Sequence, residues 1–247
     1  MTELTAQSLR YSHEGTDLVG YLVRAPGTPR PGVLLIHDAF GVSEPMKATA
    51  HRIAQLGYSV LLADLWGEGR TPGGEEEIGP LIGSLVSDRD LWVGRVRAGH
   101  EALLADPDVA DAPVTVVGYC FGGSSALEYL RHGGGVDGVV TFHGGLDTVG
   151  EDWSQAHSAA RVLVLTGAED PMAPRDRVTA LEDGLTAAGV DWEVARYGAT
   201  RHAFTNPHAD KAGRPEVLAY DARADRRSWT AFTLFLEEIH DDVPAGA

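Results

Sequence analysis

Short apolar runs alternate with longer stretches that can be helical along most of this chain, and that alternation restricts the fold more than any other feature. The runs are Leu18–Arg24, Gly32–His37, Ser59–Ala63, Val114–Val117, Gly138–Phe142, Arg161–Leu165 and Trp192–Tyr197. The longer stretches are Glu44–Leu56, Leu91–Leu104, Ser124–Arg131, Pro174–Ala188 and Pro215–Glu238. Strands alternating with helices predict an α/β fold: a mostly parallel central sheet with helices on both faces. Val33-Leu34-Leu35-Ile36 and Val162-Leu163-Val164-Leu165 are apolar at successive positions. Strands covered on both faces require that pattern. The amino-terminal segment differs. Ser8–Ser12, then His13-Glu14-Gly15-Thr16-Asp17, then Leu18–Arg24 reads as an antiparallel hairpin suited to a sheet edge. Gly67–Gly79 carries neither period and is expected as a long loop. With no linker and no internal repeat, a single α/β domain over residues 1–247 is expected.

Charge narrows the partners. The 20 basic and 36 acidic residues give a net charge of −16, and Lys47 and Lys211 are the only lysines. Such a chain repels nucleic acid and anionic membrane, so neither is expected as a partner. The single cysteine, Cys120, rules out an internal disulfide and a cysteine-based zinc cluster. Met1 to Tyr11 is polar, without the apolar core of a signal peptide, and the longest apolar runs are strand-sized. A soluble, cytoplasmic protein is expected. No phosphate loop, dinucleotide fingerprint or metal-ligand spacing occurs, so no cofactor and no metal are expected. The sequence leaves the oligomeric state open between monomer and dimer.

One segment carries chemistry. The β-branched run ending at Val117 leads into Gly118-Tyr119-Cys120-Phe121-Gly122-Gly123, and the small residues Ser124-Ser125-Ala126 follow. This is the form of a nucleophile elbow with cysteine in the serine position. A lone cysteine is most often a small buried hydrophobe. The strand, the glycine spacing and the helix behind it point instead to a nucleophile at a helix N-terminus, where the helix dipole favours a thiolate. The backbone N–H of Phe121 would face a developing oxyanion. A second donor normally comes from the loop after an earlier strand. Here that loop is His37-Asp38-Ala39-Phe40-Gly41-Val42, and Ala39 N–H is the expected donor. A carboxylate near a thiol holds it neutral, which gives Asp38 a possible role beyond that of a turn residue.

The elbow needs a base and an acid, in the chain order nucleophile, acid, histidine. Asp170 follows the strand Arg161–Leu165 within Gly167-Ala168-Glu169-Asp170-Pro171, with Glu169 as its rival. His202 lies in the loop after Trp192–Tyr197, ahead of the last helical stretch. His37 and His143 also end strands, and His143 is the stronger competitor. It precedes the acid in the chain, which favours a pocket-lining or hydrogen-bonded role.

Together these segments make the chain resemble the dienelactone hydrolase family, the cysteine branch of the α/β-hydrolase fold. The resemblance rests on His37-Asp38-Ala39-Phe40-Gly41, Asp64-Leu65-Trp66, the Gly118–Gly123 segment, Gly167-Ala168-Glu169-Asp170-Pro171 and His202-Ala203-Phe204. It implies a Cys120–His202–Asp170 triad that cleaves a lactone or ester through an acyl-enzyme. It also implies a carboxylate at Asp38 that quiets the resting thiol. Well-studied members place an arginine four residues after the histidine to grip a substrate carboxylate; this chain has Asn206 there. Losing a bidentate arginine weakens the case for a carboxylate-bearing substrate. An uncharged small ester, lactone or thioester is an equal expectation. Arg70 and Arg89 are cations that could serve from another direction. Phe40, Trp66, Trp92, His143, Phe204 and Asn206 are candidates to line the substrate site, though large aromatics are as often core. The alternative outside enzymology is a non-catalytic small-molecule binding or sensor protein on the same fold.

Overall fold

The computed structural model describes residues 3–27, 30–109 and 112–241. These residues form eight strands, mostly parallel, and six α-helices, with an antiparallel hairpin at the amino terminus. The chain divides into two compact units, Met1–Val117 and Gly118–Ala247.

In the first unit, β1 (Thr5–His13) and β2 (Thr16–Arg24) pair antiparallel in unbroken register from Thr5↔Arg24 to His13↔Thr16. Only Glu14 and Gly15 connect them, with φ of 47° and 76°. A two-residue turn with both central φ positive has the twist that a hairpin needs. β2 also pairs antiparallel with β4 (Ser59–Ala63), and β4 runs parallel to β3 (Gly32–Ile36). The order is therefore β1-β2-β4-β3, with the hairpin at the edge. Every residue of β3 and β4 is buried, as their unbroken apolar runs require. α1 (Glu44–Ala54) packs on β2 and β4, and α3 (Arg89–Leu104) on β1, β3 and β4.

The expected loop Gly67–Gly79 is partly wrong. Helix α2 (Glu75–Ser87) begins inside it. Gly79, Pro80 and Gly83 mask its period, since glycine and proline both oppose a helix interior. What sustains it is the acidic first turn Glu75-Glu76-Glu77 at the positive helix end, and Ile78 and Leu85 buried two turns apart.

His37 follows β3 and is fully buried. Its Nδ1 lies 2.6 Å from Asp38 O, and its Nε2 lies 3.1 Å from Leu65 N. Nδ1–H therefore donates to the carbonyl and Nε2 accepts from the amide, which fits only a neutral ring. Burial holds its pKa below the ordinary 6.5. The unfolded chain takes up that proton as pH falls through 6.5 while the folded ring resists. This contribution to stability is thus present above that pH and is lost below it. Melting temperature is expected to fall between about pH 7 and about pH 5, and to fall less in His37→Asn. Thermal melts across that range check it; an identical slope in the variant would remove His37 as a cause.

In the second unit, which takes in the last two residues of β5, the order is β6-β7-β8. β5 spans Thr115–Tyr119, β6 Gly138–Phe142, β7 Arg161–Gly167 and β8 Asp191–Tyr197. β6, β7 and β8 pair parallel in turn. α4 (Phe121–Arg131) packs on β6, α5 (Arg175–Ala187) on β8, and α6 (Ala222–Asp241) on β6 and β7. The helix expected from Pro215 starts seven residues later, at Ala222. Asp221 sets that start, because its Oδ1 accepts from Arg223 N and Ala224 N, both at 2.9 Å. A side-chain acceptor for the orphan amides of the first turn is an N-cap.

Candidate active site

The elbow is built by close packing. A Cβ at Gly118 would lie 2.0 Å from Gly122 O, so only glycine lets β5 approach α4 this closely. Cys120 joins the two elements with φ 53° and ψ −118°, a conformation that costs a non-glycine residue energy. Its backbone N–H donates to Phe142 O at 3.0 Å, which holds the turn to β6. The partly exposed Cys120 thiol stands at the N-terminus of α4, where the helix dipole favours negative charge.

Two more strand ends bring groups to it. Asp170 lies three residues past β7, 3% exposed, and its Oδ1 accepts from Met172 N at 2.8 Å. The loop after β8 is laced onto this turn. Ala168 N–H donates to Tyr197 O, and Glu169 N–H to Thr200 O, each at 2.9 Å. A Cβ at Gly167 would meet Thr200 O at 2.3 Å, so glycine is again what permits the approach.

The other side of that loop is fixed by residues 215–221, the segment expected as helix. His202 N–H donates to Val217 O, and Ala219 N–H to His202 O, both at 3.1 Å. Phe204 O accepts from Asp221 N at 3.1 Å. None of these three contacts can be read from local sequence, since each joins segments far apart in the chain.

The result is a relay. His202 Nδ1 lies 2.9 Å from Asp170 Oδ2, and His202 Nε2 lies 3.0 Å from Cys120 Sγ. The ring is 1% exposed. Burial disfavours its charged form, but Cys120 sulfur and Asp170 carboxylate more than offset this and lift its pKa to about 10. Glu169, the rival acid, is half-exposed and faces Arg201 at 3.6 Å.

His143 is buried beside this relay, its ring centroid 5.1 Å from that of His202. Phe204 is fully buried between His143 and Tyr197. Asn206 caps its own turn, accepting from His208 N through Oδ1 at 2.9 Å. Phe121 is buried in the first turn of α4.

Asp38, Ala39, Phe40 and Trp66 belong to the first unit. Phe40 N–H donates to Asp38 Oδ1 at 2.8 Å, and Trp66 Nε1–H to Ala39 O at 3.3 Å. Phe40 is exposed, whereas Trp66 is buried. Arg70 pairs with Glu77 at 3.1 Å, and Arg89 lies over the ring of the fully buried Trp92. Among the described residues, no group of three His, Cys, Asp or Glu side chains is placed to hold a metal, and no helix is long and apolar enough to cross a membrane.

Sequence reasoning missed Thr200, Thr205 and the 215–221 segment. Thr200 Oγ1 donates to Asp221 Oδ2 at 3.2 Å, and Thr205 Oγ1 lies 2.9 Å from His143 Nε2. An available signal was Asp221 ahead of Ala222-Arg223-Ala224, a helix-capping residue at the true helix start.

The model of the dienelactone hydrolase family matches residues 18–240. A candidate carboxymethylenebutenolidase of Yersinia pestis is 26% identical over 230 residues, which is 87% of this chain and 82% of that protein. A dienelactone hydrolase-like promiscuous phosphotriesterase from metagenomic libraries has a solved structure that is 34% identical. It covers 96% of this chain and 99% of its own, with a TM-score of 0.89. An acylaminoacyl peptidase of Pyrococcus horikoshii shares the fold at 15% identity, with a TM-score of 0.69 over 43% of its length.

Proposed function

The chain belongs to the dienelactone hydrolase family and is a carboxylic-ester hydrolase of α/β-hydrolase fold, and from that premise we propose that Cys120, His202 and Asp170 are its catalytic triad. The observation that carries this reading is the relay of 3.0 Å from Cys120 Sγ to His202 Nε2 and 2.9 Å from His202 Nδ1 to Asp170 Oδ2.

The chemistry follows from that order. Cys120 thiolate attacks the carbonyl carbon and forms a C–S bond, while the carbonyl electron pair moves onto oxygen. Phe121 N–H, at the start of α4, stabilises that oxyanion. Collapse expels the alkoxide, and the protonated Nε2 of His202 donates its proton to it. The now neutral His202 takes a proton from water, which attacks the thioester carbon. Collapse of this second intermediate releases the acid and restores the thiolate–imidazolium pair. Asp170 orients the ring and stabilises its charge throughout.

For the substrate we infer a small ester, lactone or thioester. The side-chain oxygen of Asn206 is engaged by His208 N–H, and an amide offers no positive charge for a carboxylate.

The test is hydrolysis of p-nitrophenyl acetate by the wild type and by Cys120→Ala. Turnover in the wild type and a loss of about a thousandfold or more in the variant is the expected result. Equal rates in the two proteins would remove Cys120 from the mechanism. Stoichiometric binding of the ester without turnover would favour the non-catalytic reading.

A further inference from the structure

We propose that His143 is a positioning residue of this reaction: through Thr205 it holds the loop that carries His202 in line with Cys120 and Asp170. The proposal rests on the triad reading above.

The turn that bears His143 touches each loop of that triad. Phe142, the residue before it, accepts the N–H of Cys120 at 3.0 Å. Ser124, in the first turn of α4, donates its hydroxyl to Gly145 O at 2.6 Å. Leu146 N–H donates to Met172 O at 2.8 Å, in the loop of Asp170. The His143 ring then completes the set, with Nε2 2.9 Å from Thr205 Oγ1 in the loop of His202. One turn thus ties together three segments that are far apart in the chain.

His143 itself pays a backbone cost, at φ 42°. A non-glycine residue stays in that region when its surroundings over-determine it. Here the N–H of His143 is fixed to Leu165 O at 2.8 Å, and its ring packs edge-on against His202, Phe204 and Tyr119.

The tautomer fits the role. Among the described residues, Nδ1 of His143 is buried without a hydrogen-bond partner. A buried N–H left unpaired is rarer than a bare lone pair. The proton therefore belongs on Nε2, donated to Thr205 Oγ1. Burial, and after it the charge of His202, hold His143 far below its ordinary pKa. The ring stays neutral beside a protonated neighbour, so it can brace His202 without competing for its proton.

The experiment compares Thr205→Val, Thr205→Ser, His143→Phe and the double variant Thr205→Val/His143→Phe, each with its melting curve. Two quantities are read: kcat and KM on p-nitrophenyl acetate, and the pH dependence of Cys120 alkylation by iodoacetamide. Thr205→Val and His143→Phe are each expected to lower kcat about 10- to 100-fold with little change in KM, the size of effect that a small misplacement produces. Thr205→Ser keeps the hydroxyl and stays near the wild type. The double variant loses no more than the worse single, because both remove one bond. Alkylation near neutral pH slows in Thr205→Val, since the imidazolium no longer faces the sulfur.

Wild-type kcat and alkylation in Thr205→Val would overturn the proposal, as would losses that multiply in the double variant. Should His143→Phe not fold, Thr205→Val against Thr205→Ser decides alone. Failure of the triad reading is distinguishable, because it is read as retained turnover in Cys120→Ala, whereas alkylation reports the His202–Cys120 alignment without turnover.

Discussion

Replacing His202 by alanine is expected to lower kcat/KM on p-nitrophenyl acetate by about 10⁴-fold or more, the scale seen when one member of a nucleophile–base unit is removed. The proposed mechanism assigns this ring two jobs. It is the cation 3.0 Å from Cys120 Sγ that favours the thiolate. It is also the acid that protonates the leaving alkoxide and then the base that activates water. Alanine removes both, and cavity water supplies neither at the right distance. Steady-state rates and iodoacetamide alkylation check the two separately, and both should fall. A variant that kept the wild-type rate would eliminate His202 as the base. The direction of the His202 shift also fixes the alkaline limb. The imidazolium persists until pH rises to about 10, and activity that needs this acid is lost above that. Asp170→Asn removes part of the charge that raises the pKa, so the limb should move to lower pH as the rate drops. An unmoved limb would show that another group titrates there.

Arg131→Met is expected to destabilise the fold by about 3–5 kcal/mol, the cost of leaving a buried carboxylate without its counter-charge. Glu128 sits on α4 with its side chain fully buried. Arg131, one turn on, clasps it with Nε and Nη2, each at 2.9 Å from a different carboxylate oxygen. Gly150 N–H adds a third donor at 2.7 Å. This bidentate pair lies on the helix that follows Cys120, so its loss loosens the element behind that residue. For a chain of this length the melting temperature should drop by roughly 6–20 °C. Glu128→Gln removes the charge and keeps the volume, so it should cost less than Arg131→Met. Thermal or urea unfolding of the two variants checks the order; the reverse order would mean that the clasp, not the buried charge, dominates.

The fold was largely legible because its strands declare themselves one at a time. β3 and β4 each carry four consecutive apolar residues, opened by Gly32 or Ser59 and closed by the polar His37 or Asp64, and Glu14-Gly15 specifies the hairpin turn by its backbone needs alone. The failures came where local signals cancel. α2 hides behind Gly79, Pro80 and Gly83, and is held by two buried side chains that no window of sequence ranks above its helix breakers. Residues 215–221 have the composition of a helix lead-in, yet Val217 O and the N–H groups of Ala219 and Asp221 are taken by His202 and Phe204.

The candidate site divides in the same way. Gly118-Tyr119-Cys120-Phe121-Gly122-Gly123 is explicit in sequence, because a sharp strand-to-helix turn admits few residue types. Glu169 and Asp170 are adjacent in the chain, and the Gly-x-x-Asp spacing ahead of Pro174 favours Asp170; in the fold Glu169 faces solvent and Arg201, and Asp170 faces His202. Thr205 and the turn at His143 carry no motif, because their partners are reached only through space.

Local sequence settles the α/β alternation, the hairpin, and the sharp turn that sets Cys120 at the end of a helix. These depend on backbone sterics and on periodicity, which act between residues close in the chain. The packed fold decides what anchors the loop around His202 and what surrounds its ring. Those outcomes depend on burial and on distances between strand ends, and such distances exist only once the strands have packed.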